Sequence, residues 1–216
     1  MQNQLINELY DVISGKSEVR YGIAIQAVAG YLSDGTSSSP GIENAKRLKE
    51  QETERLKSYI STNNLWIEVD FSQYVSEGAE QKVYLKDSDH VIKLNDSIYY
   101  ASWREYFYNL ILHNFFFSDT AYDLIGFTKD QDTLYAVVKQ AFVSISKKTD
   151  LNQVRDFLTL NGFENNRNND YRNLEIGIIL EDLHDENVLT KNDVLYFIDT
   201  VFYLTEKFWE NIKNSR

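Results

Sequence analysis

The chain has 216 residues, 43% of them hydrophobic, including 12 Phe and 15 Tyr, enough to bury a sizeable core in one large domain or in a domain with an extension. Its formal charge of −11, from 22 basic against 33 acidic residues, makes the chain a poor candidate for sequence-independent nucleic-acid binding, though it leaves room for local basic patches. The absence of cysteine excludes disulfides, thiolate metal sites and a cysteine nucleophile. No basic segment leads into an apolar run at the N-terminus, and no apolar stretch reaches the ~18 residues of a membrane span, so the expectation is a cytoplasmic protein.

Residues 1–65 read as a helical N-terminal extension. "NQLINELYDVI" and "VRYGIAIQAVAGYL" carry apolar residues three and four apart. The stretch "SDGTSSSPG" at 33–41, with the single proline Pro40, reads as a flexible loop. "IENAKRLKEQETERLKSYIS" follows as a charged helix with a largely solvated face. This region caps the next unit and carries no chemistry.

From residue 66 to 216 the pattern changes. "LWIEV", "KVYL", "HVIKL", "AYDLIGF" and "TLYAVVKQAFV" are short runs rich in β-branched and aromatic residues, predicted as strands joined mostly by hairpins. "SIYYASWREYFYNLILHN" at 97–114 is predicted as one inserted helix, and a further helix starts after Asp150, a good N-cap residue. "EIGII", "NVLT" and "VLYFID" read as short strands before a terminal helix near 203–214. The fold class is α+β, an antiparallel sheet with one inserted helix followed by a helix and a small hairpin.

The stretch "LEDLHDENVLT" at 180–190 crowds Glu181, Asp182, His184, Asp185 and Glu186 beside Asn187, between two apolar runs. A solvated turn has no need of so much charge. Asp182 and Asn187 are five residues apart, and Asp199 lies twelve beyond Asn187 at the end of the returning strand of a predicted hairpin, which brings the three together. One carboxylate and one amide oxygen, Asp199 and Asn187, suit Mg²⁺, which takes few protein ligands. Asp182 is left to orient a hydroxyl nucleophile, the division of labour of phosphoryl transfer. Such a site needs a cation for nucleotide phosphates, and Lys93 in "HVIKL" supplies one on an inner strand, where it requires a carboxylate partner. Glu105, inside the 97–114 helix, is the candidate partner, and Gly78 lets backbone amides approach a phosphate. His90 and His113 are read as structural; His184 is read as a structural residue bonded to nearby backbone, with a transition-metal site shared with Asp182 and Asp185 as the alternative.

The order Gly78, Lys93, Glu105, Asp182, Asn187, Asp199 resembles the protein-kinase-like fold, and "DLHDENVL" resembles the catalytic loop of aminoglycoside phosphotransferases. The closer resemblance is to the minimal serine/threonine/tyrosine kinase domain of polyvalent proteins from bacterial mobile elements and phages. It is carried by "VIKLND", "EYFYNLILHN", "YDLIGF", "QAFV", "EDLHDENVL" and "LYFID". The resemblance implies an antiparallel-sheet N-lobe over about 66–143, a reduced C-lobe over about 144–216, and an ATP and Mg²⁺ cofactor set. Lys93 would hold the phosphates and Glu105 would orient it. Asp182 would be the catalytic aspartate, with Asn187 and Asp199 the metal ligands. The segment 139–143, with Gln140 and Phe142, would be the hinge that meets adenine. Ser76, Gly78 and Gln81 fall at the three glycine positions of the phosphate loop, so only the middle glycine is kept. Asp199 is followed by Thr200, Val201 and Phe202 rather than Phe-Gly, and the large helical lobe is missing. The implied activity is transfer of the γ-phosphate of ATP to a hydroxyl acceptor, with residues 1–60 a candidate surface for a partner protein and neither nucleic acid nor membrane expected. Two rivals fit the same residues: a nucleotide-binding interaction module of pseudokinase type, and a transferase of AMP.

Overall fold

The computed structural model describes residues 2–34, 42–78 and 81–214. Three helices come first: α1 (Gln2–Ile13), α2 (Gly22–Ser33) and α3 (Ile42–Thr62). The loop expected at 33–41 lies, beyond Asp34, outside the described residues. Leu9 of α1, Ile25 and Leu32 of α2, and Leu56 and Ile60 of α3 are fully buried in one continuous core with Trp103, Phe107 and Phe127 from later in the chain. The apolar spacing of α1 and α2 thus finds its partner in the next unit rather than within the helices themselves.

Strands β1 (Tyr74–Glu77), β2 (Gln81–Leu85), β3 (His90–Asn95), β4 (Asp123–Asp130) and β5 (Thr133–Ala141) form an antiparallel five-stranded sheet in the order β1-β2-β3-β5-β4. Five strands were expected, but the membership differs. Residues 65–69 do not join as a full strand. They meet β4 only through a parallel bridge of Trp66 to Phe127, because β4 bulges at Gly126, whose φ of +152 and missing Cβ let the Leu65 carbonyl and Ile67 press against it. Tyr74–Glu77 fills the edge place instead. Helix α4 (Trp103–Phe116) is the inserted helix, six residues shorter at its start than the sequence suggested. Asn95 and Asp96 side chains accept from the Ser97 and Ile98 N–H groups, tying 95–100 into turns, and Ser102 Oγ caps the helix by accepting from Glu105 N–H at 3.0 Å.

α3 completes that cap. Its buried Glu52 accepts from the N–H groups of Trp103 (2.7 Å) and Arg104 (3.4 Å), two of the donors a helix start leaves unpaired. Burial pushes the Glu52 carboxyl above its ordinary range, and the two N–H groups oppose that shift. Lys49, one turn earlier, donates to the carbonyls of Ser97 and Tyr100 (2.6 Å for the latter).

The second half begins with α5 (Leu151–Leu160), capped by Asp150 as expected. β6 (Glu164–Arg167), β7 (Asp170–Asn173), β8 (Ile178–Glu181) and β11 (Val201–Leu204) form a sheet in the order β11-β8-β7-β6, while β9 (Val188–Lys191) and β10 (Val194–Phe197) form the predicted hairpin. The terminal helix expected from 203 is instead strand β11, paired with β8, followed by α6 (Glu206–Asn214). β11 and β8 bury Val201, Phe202, Ile178 and Leu180, and pairing along the edge of β8 outcompetes the helical reading of "FYLTEKFWENIKN".

Candidate functional site

A cavity of about 580 Å³ opens between the five-stranded sheet and the β8–β10 region. Its roof is set by strand register. Val83 pairs with Lys93, Lys93 with Val138 and Val91 with Gln140, so these side chains share one face of the sheet. β1 adds Val75, Ser76 and Glu77 at the rim, Gly78 and Gln81 follow, and Gln140 to Val143 form the rear wall. The floor is Asp182, His184, Glu186, Asn187, Leu189, Ile198 and Asp199. A volume of this size lies in the range of small-molecule sites.

The hairpin works as the spacing required. Asn187 carbonyl accepts from Ile198 N–H at 2.9 Å and Asp199 N–H at 3.4 Å, which places the two side chains together at the cavity floor. Asn187 Nδ2 donates to the Asp182 carbonyl and to Asp182 Oδ2, both at 2.9 Å, which turns its amide oxygen away from Asp182. Asp182 itself has φ 66, the left-handed region that costs a non-glycine residue about 1–2 kcal/mol. His184 Nδ1 accepts from Glu186 N–H, so its protonated Nε2 faces Asp182 Oδ1 at 3.3 Å. His184 is thus bonded to nearby backbone, with Asp182 as a second contact.

Lys93 is buried, and burial pulls its pKa below the ordinary lysine value while Asp199 opposes the change. Its Nζ donates to the Ile198 carbonyl at 2.7 Å, lies 3.8 Å from Asp199 Oδ2 and sits over the Tyr122 ring, 5.4 Å from its centroid. Tyr122 hydroxyl donates to the same carbonyl. Glu105 is not its partner. The Glu105 carboxylate accepts from Ala101 N–H at 3.0 Å beside the Ser102 cap, and its side chain lines a separate pocket with Arg104, Tyr108 and Trp209. The helix start consumes this carboxylate, so the expected Lys93–Glu105 pair is replaced by Lys93–Asp199.

Behind the lysine, buried His113 donates from Nε2 to the Thr120 carbonyl (3.0 Å) and accepts at Nδ1 from Thr200 Oγ1 (2.7 Å), which fixes the neutral ring. Burial drives its pKa down to about 3, with Lys93 pushing the same way. Gln140 is also buried, and its Nε2 donates to the same Thr120 carbonyl, so its side chain braces the rear wall. Phe142 is half exposed at the mouth, with its N–H donated to the Asp89 carbonyl. Gly78 lines the cavity with open space where a Cβ would stand. Gln81, at the third glycine position of the phosphate loop, donates to Asp199 Oδ1 at 2.5 Å.

Asn187 amide oxygen and the Asp199 carboxylate are hard oxygen donors on residues that share the cavity floor, and their chemistry fits a cation that keeps most of its ligands from water and substrate. Among the described residues no group of three or more His, Asp or Glu converges as a ready-made metal cage. Sequence reasoning missed Gln81 as an Asp199 partner, Tyr122 and the Ile198 carbonyl as Lys93 partners, and Tyr99 as a wall residue. Only Gln81 carried a signal, its place in the phosphate-loop alignment. Among the described residues no helix is long and apolar enough to cross a membrane.

No curated protein and no solved structure matches the chain. A family model, Kinase-PolyVal, described as a serine/threonine/tyrosine kinase found in polyvalent proteins, matches residues 49–206, from the middle of α3 to the start of α6. The α+β architecture, with its sheet over a cavity floored by Asp182, Asn187 and Asp199, is the kinase-like fold that this family implies. The match spans well over half of the sequence, and the chain belongs to the Kinase-PolyVal family of serine/threonine/tyrosine kinases.

Proposed function

We propose that this protein is a Mg·ATP-dependent phosphotransferase that moves the γ-phosphate of ATP to a hydroxyl acceptor. The observation that carries the reading is convergence: Lys93, Asp182, Asn187 and Asp199, separated by up to 106 positions in the chain, line one cavity with Gly78 and the Gln140–Val143 wall. In this reading Val83, Val91 and Leu189 sandwich the adenine, and the 139–143 backbone meets its edge. Lys93, already desolvated, holds the phosphates at low reorganisation cost. Asn187 and Asp199 would hold Mg²⁺, which neutralises phosphate charge when bound. The acceptor oxygen forms its bond to the γ-phosphorus as the bond to the ADP oxygen breaks, and the hydroxyl proton passes to the Asp182 carboxylate. The division into a helical extension 1–65 and two lobes, a partner surface within residues 1–60, a cytoplasmic setting and a place in a mobile-element or phage protein belong to the same proposal.

The rival of pseudokinase type finds support in Gln81, which occupies Asp199 Oδ1. Intact-mass analysis after incubation with Mg·ATP separates the readings. Gain of one phosphoryl group, on the protein or an added hydroxyl compound, supports phosphotransfer. Gain of an AMP group identifies nucleotidyl transfer, and binding without any mass change identifies the interaction module.

A further inference from the structure

The β6–β7 hairpin is an odd possession for so small a chain. Its sequence, "ENNRNNDYRN", is almost wholly polar, and every residue of β6 is exposed, so that strand adds nothing to the core. The turn at Asn168, with φ 48, points the hairpin tip toward the Asp182 loop. There it makes two hydrogen bonds in succession. Asp170 Oδ1 accepts from Asp182 N–H at 3.1 Å, and the Asn169 carbonyl accepts from Leu183 N–H at 3.2 Å. These are the amides of the backbone reversal in which Asp182 takes its left-handed φ of 66. A residue in that region persists only where its surroundings over-determine it. On the other edge of β8, Glu181 pairs with Val201, two residues after Asp199. The strand end carrying Asp182 is therefore held from one side by the hairpin and from the other by the segment that carries Asp199.

We propose that Asp170 is a positioning residue for phosphoryl transfer. Its carboxylate fixes the Asp182 backbone so that the Asp182 side chain meets Asn187 and His184 at the cavity floor. The hairpin does in a few polar residues what a large helical lobe would do by packing. Asp170 does not line the cavity, so it acts through Asp182 and not on the nucleotide. The inference rests on the phosphotransfer reading, and the test keeps the two apart.

The test compares two neutral variants of similar size, Asp170→Asn, which keeps an oxygen acceptor, and Asp170→Leu, which lacks one. ADP formation from Mg·ATP is measured with kcat and KM separated, and hydrogen exchange is followed at the Asp182 and Leu183 amides. Asp170→Leu should lower kcat by about a hundredfold, the scale of a small misplacement of a reacting group, with KM for ATP unchanged. The Asp182 amide should lose its protection. Asp170→Asn should keep that protection and most of the wild-type kcat, a rescue that a purely electrostatic or a purely structural role would not give. Wild-type kcat in Asp170→Leu would overturn the proposal, as would Asp170→Asn being as slow as Asp170→Leu. Should Asp170→Leu fail to fold, retained protection and rate in Asp170→Asn support the hydrogen-bond role, and their loss in a folded Asp170→Asn overturns it. Wild-type protein that binds Mg·ATP yet forms no ADP removes the phosphotransfer reading, and this role with it, before any variant is made.

Discussion

At the scale of single residues, Lys93 and Glu105 are both charged groups near the α4–sheet junction, yet they answer to different partners. Lys93 is held by Ile198, Asp199 and Tyr122, and Glu105 by the Ala101 N–H. A double-mutant cycle of Lys93→Met and Glu105→Gln should therefore be additive to within about 0.5 kcal/mol, as for residues that share no partner. Lys93→Met should abolish thermal stabilisation by Mg·ATP, whereas Glu105→Ala should cost about 1 kcal/mol of stability, the worth of a helix cap, and leave that stabilisation intact. Chemical denaturation with and without Mg·ATP reads both effects. The sequence grouped Lys93, Asp182, Asn187 and Asp199, and all four line one cavity, the last three because they flank the ends of β8, β9 and β10. It assigned the lysine to the wrong carboxylate because a helix N-terminus competes for acids in its first turn, and from sequence alone that demand looks the same as a cross-sheet partner.

His113 gives a pH prediction at the same scale. Its pKa is about 3 in the folded protein against 6.5 for the free side chain. Between those values the unfolded chain binds the extra proton, so the contribution of His113 is fully present above pH 6.5 and is lost as pH falls towards 3. The slope approaches about 1.4 kcal/mol per pH unit within that window. His113→Gln preserves a donor for the Thr120 carbonyl and does not titrate. Urea unfolding at neutral pH and at about pH 5 should show a larger loss in wild type than in this variant. Equal losses would place the histidine in contact with water.

At the scale of elements, what the sequence hid is instructive. β1 and β6 were missed because an exposed strand has no apolar alternation to display, and β7 because its two buried residues are Tyr171 and the polar Asn173. β11 was taken for helix because its four residues are followed at once by an amphipathic one. The α6 docking point is Gly177, with φ +78, where an added Cβ would stand 2.3 Å from the Phe208 backbone nitrogen and 2.9 Å from its Cα. Thr205 also donates twice to the Gly177 carbonyl. Gly177→Ala should therefore push α6 off the β11-β8 sheet and cost more than about 2 kcal/mol, beyond the ordinary range for exposed changes. Raised hydrogen exchange confined to α6 and β11 would mark the undocking, and an unchanged melting temperature would show that the helix end yields.

For the whole molecule, the N-terminal helices matter more than a cap would. A flexible loop at 33–41 would make a cut after residue 40 harmless to the rest of the chain. Yet Leu9, Val12, Ile25, Val28 and Leu32 are buried in the same core as Phe107 and Phe127. Removing residues 1–40 should abolish the cooperative thermal transition rather than leave a smaller folded protein, because each large buried side chain lost costs about 2–5 kcal/mol against a total of about 5–15. Circular dichroism melting of the truncated chain decides this. A sharp transition with retained Mg·ATP binding would restore the separable picture. The α3 contribution has the same character, since Glu52 and Lys49 support the start of α4 from outside the sheet.

β11 begins two residues after Asp199, with only Thr200 between, and Thr200 is itself buried against His113. The backbone passes from the cavity floor straight into a paired strand, leaving no slack that a covalent mark could order or release. On the phosphotransfer reading proposed above, an enzyme wired in this way would be competent once folded, and restraint at this point of the chain would fall to synthesis, degradation or a neighbour that blocks the mouth.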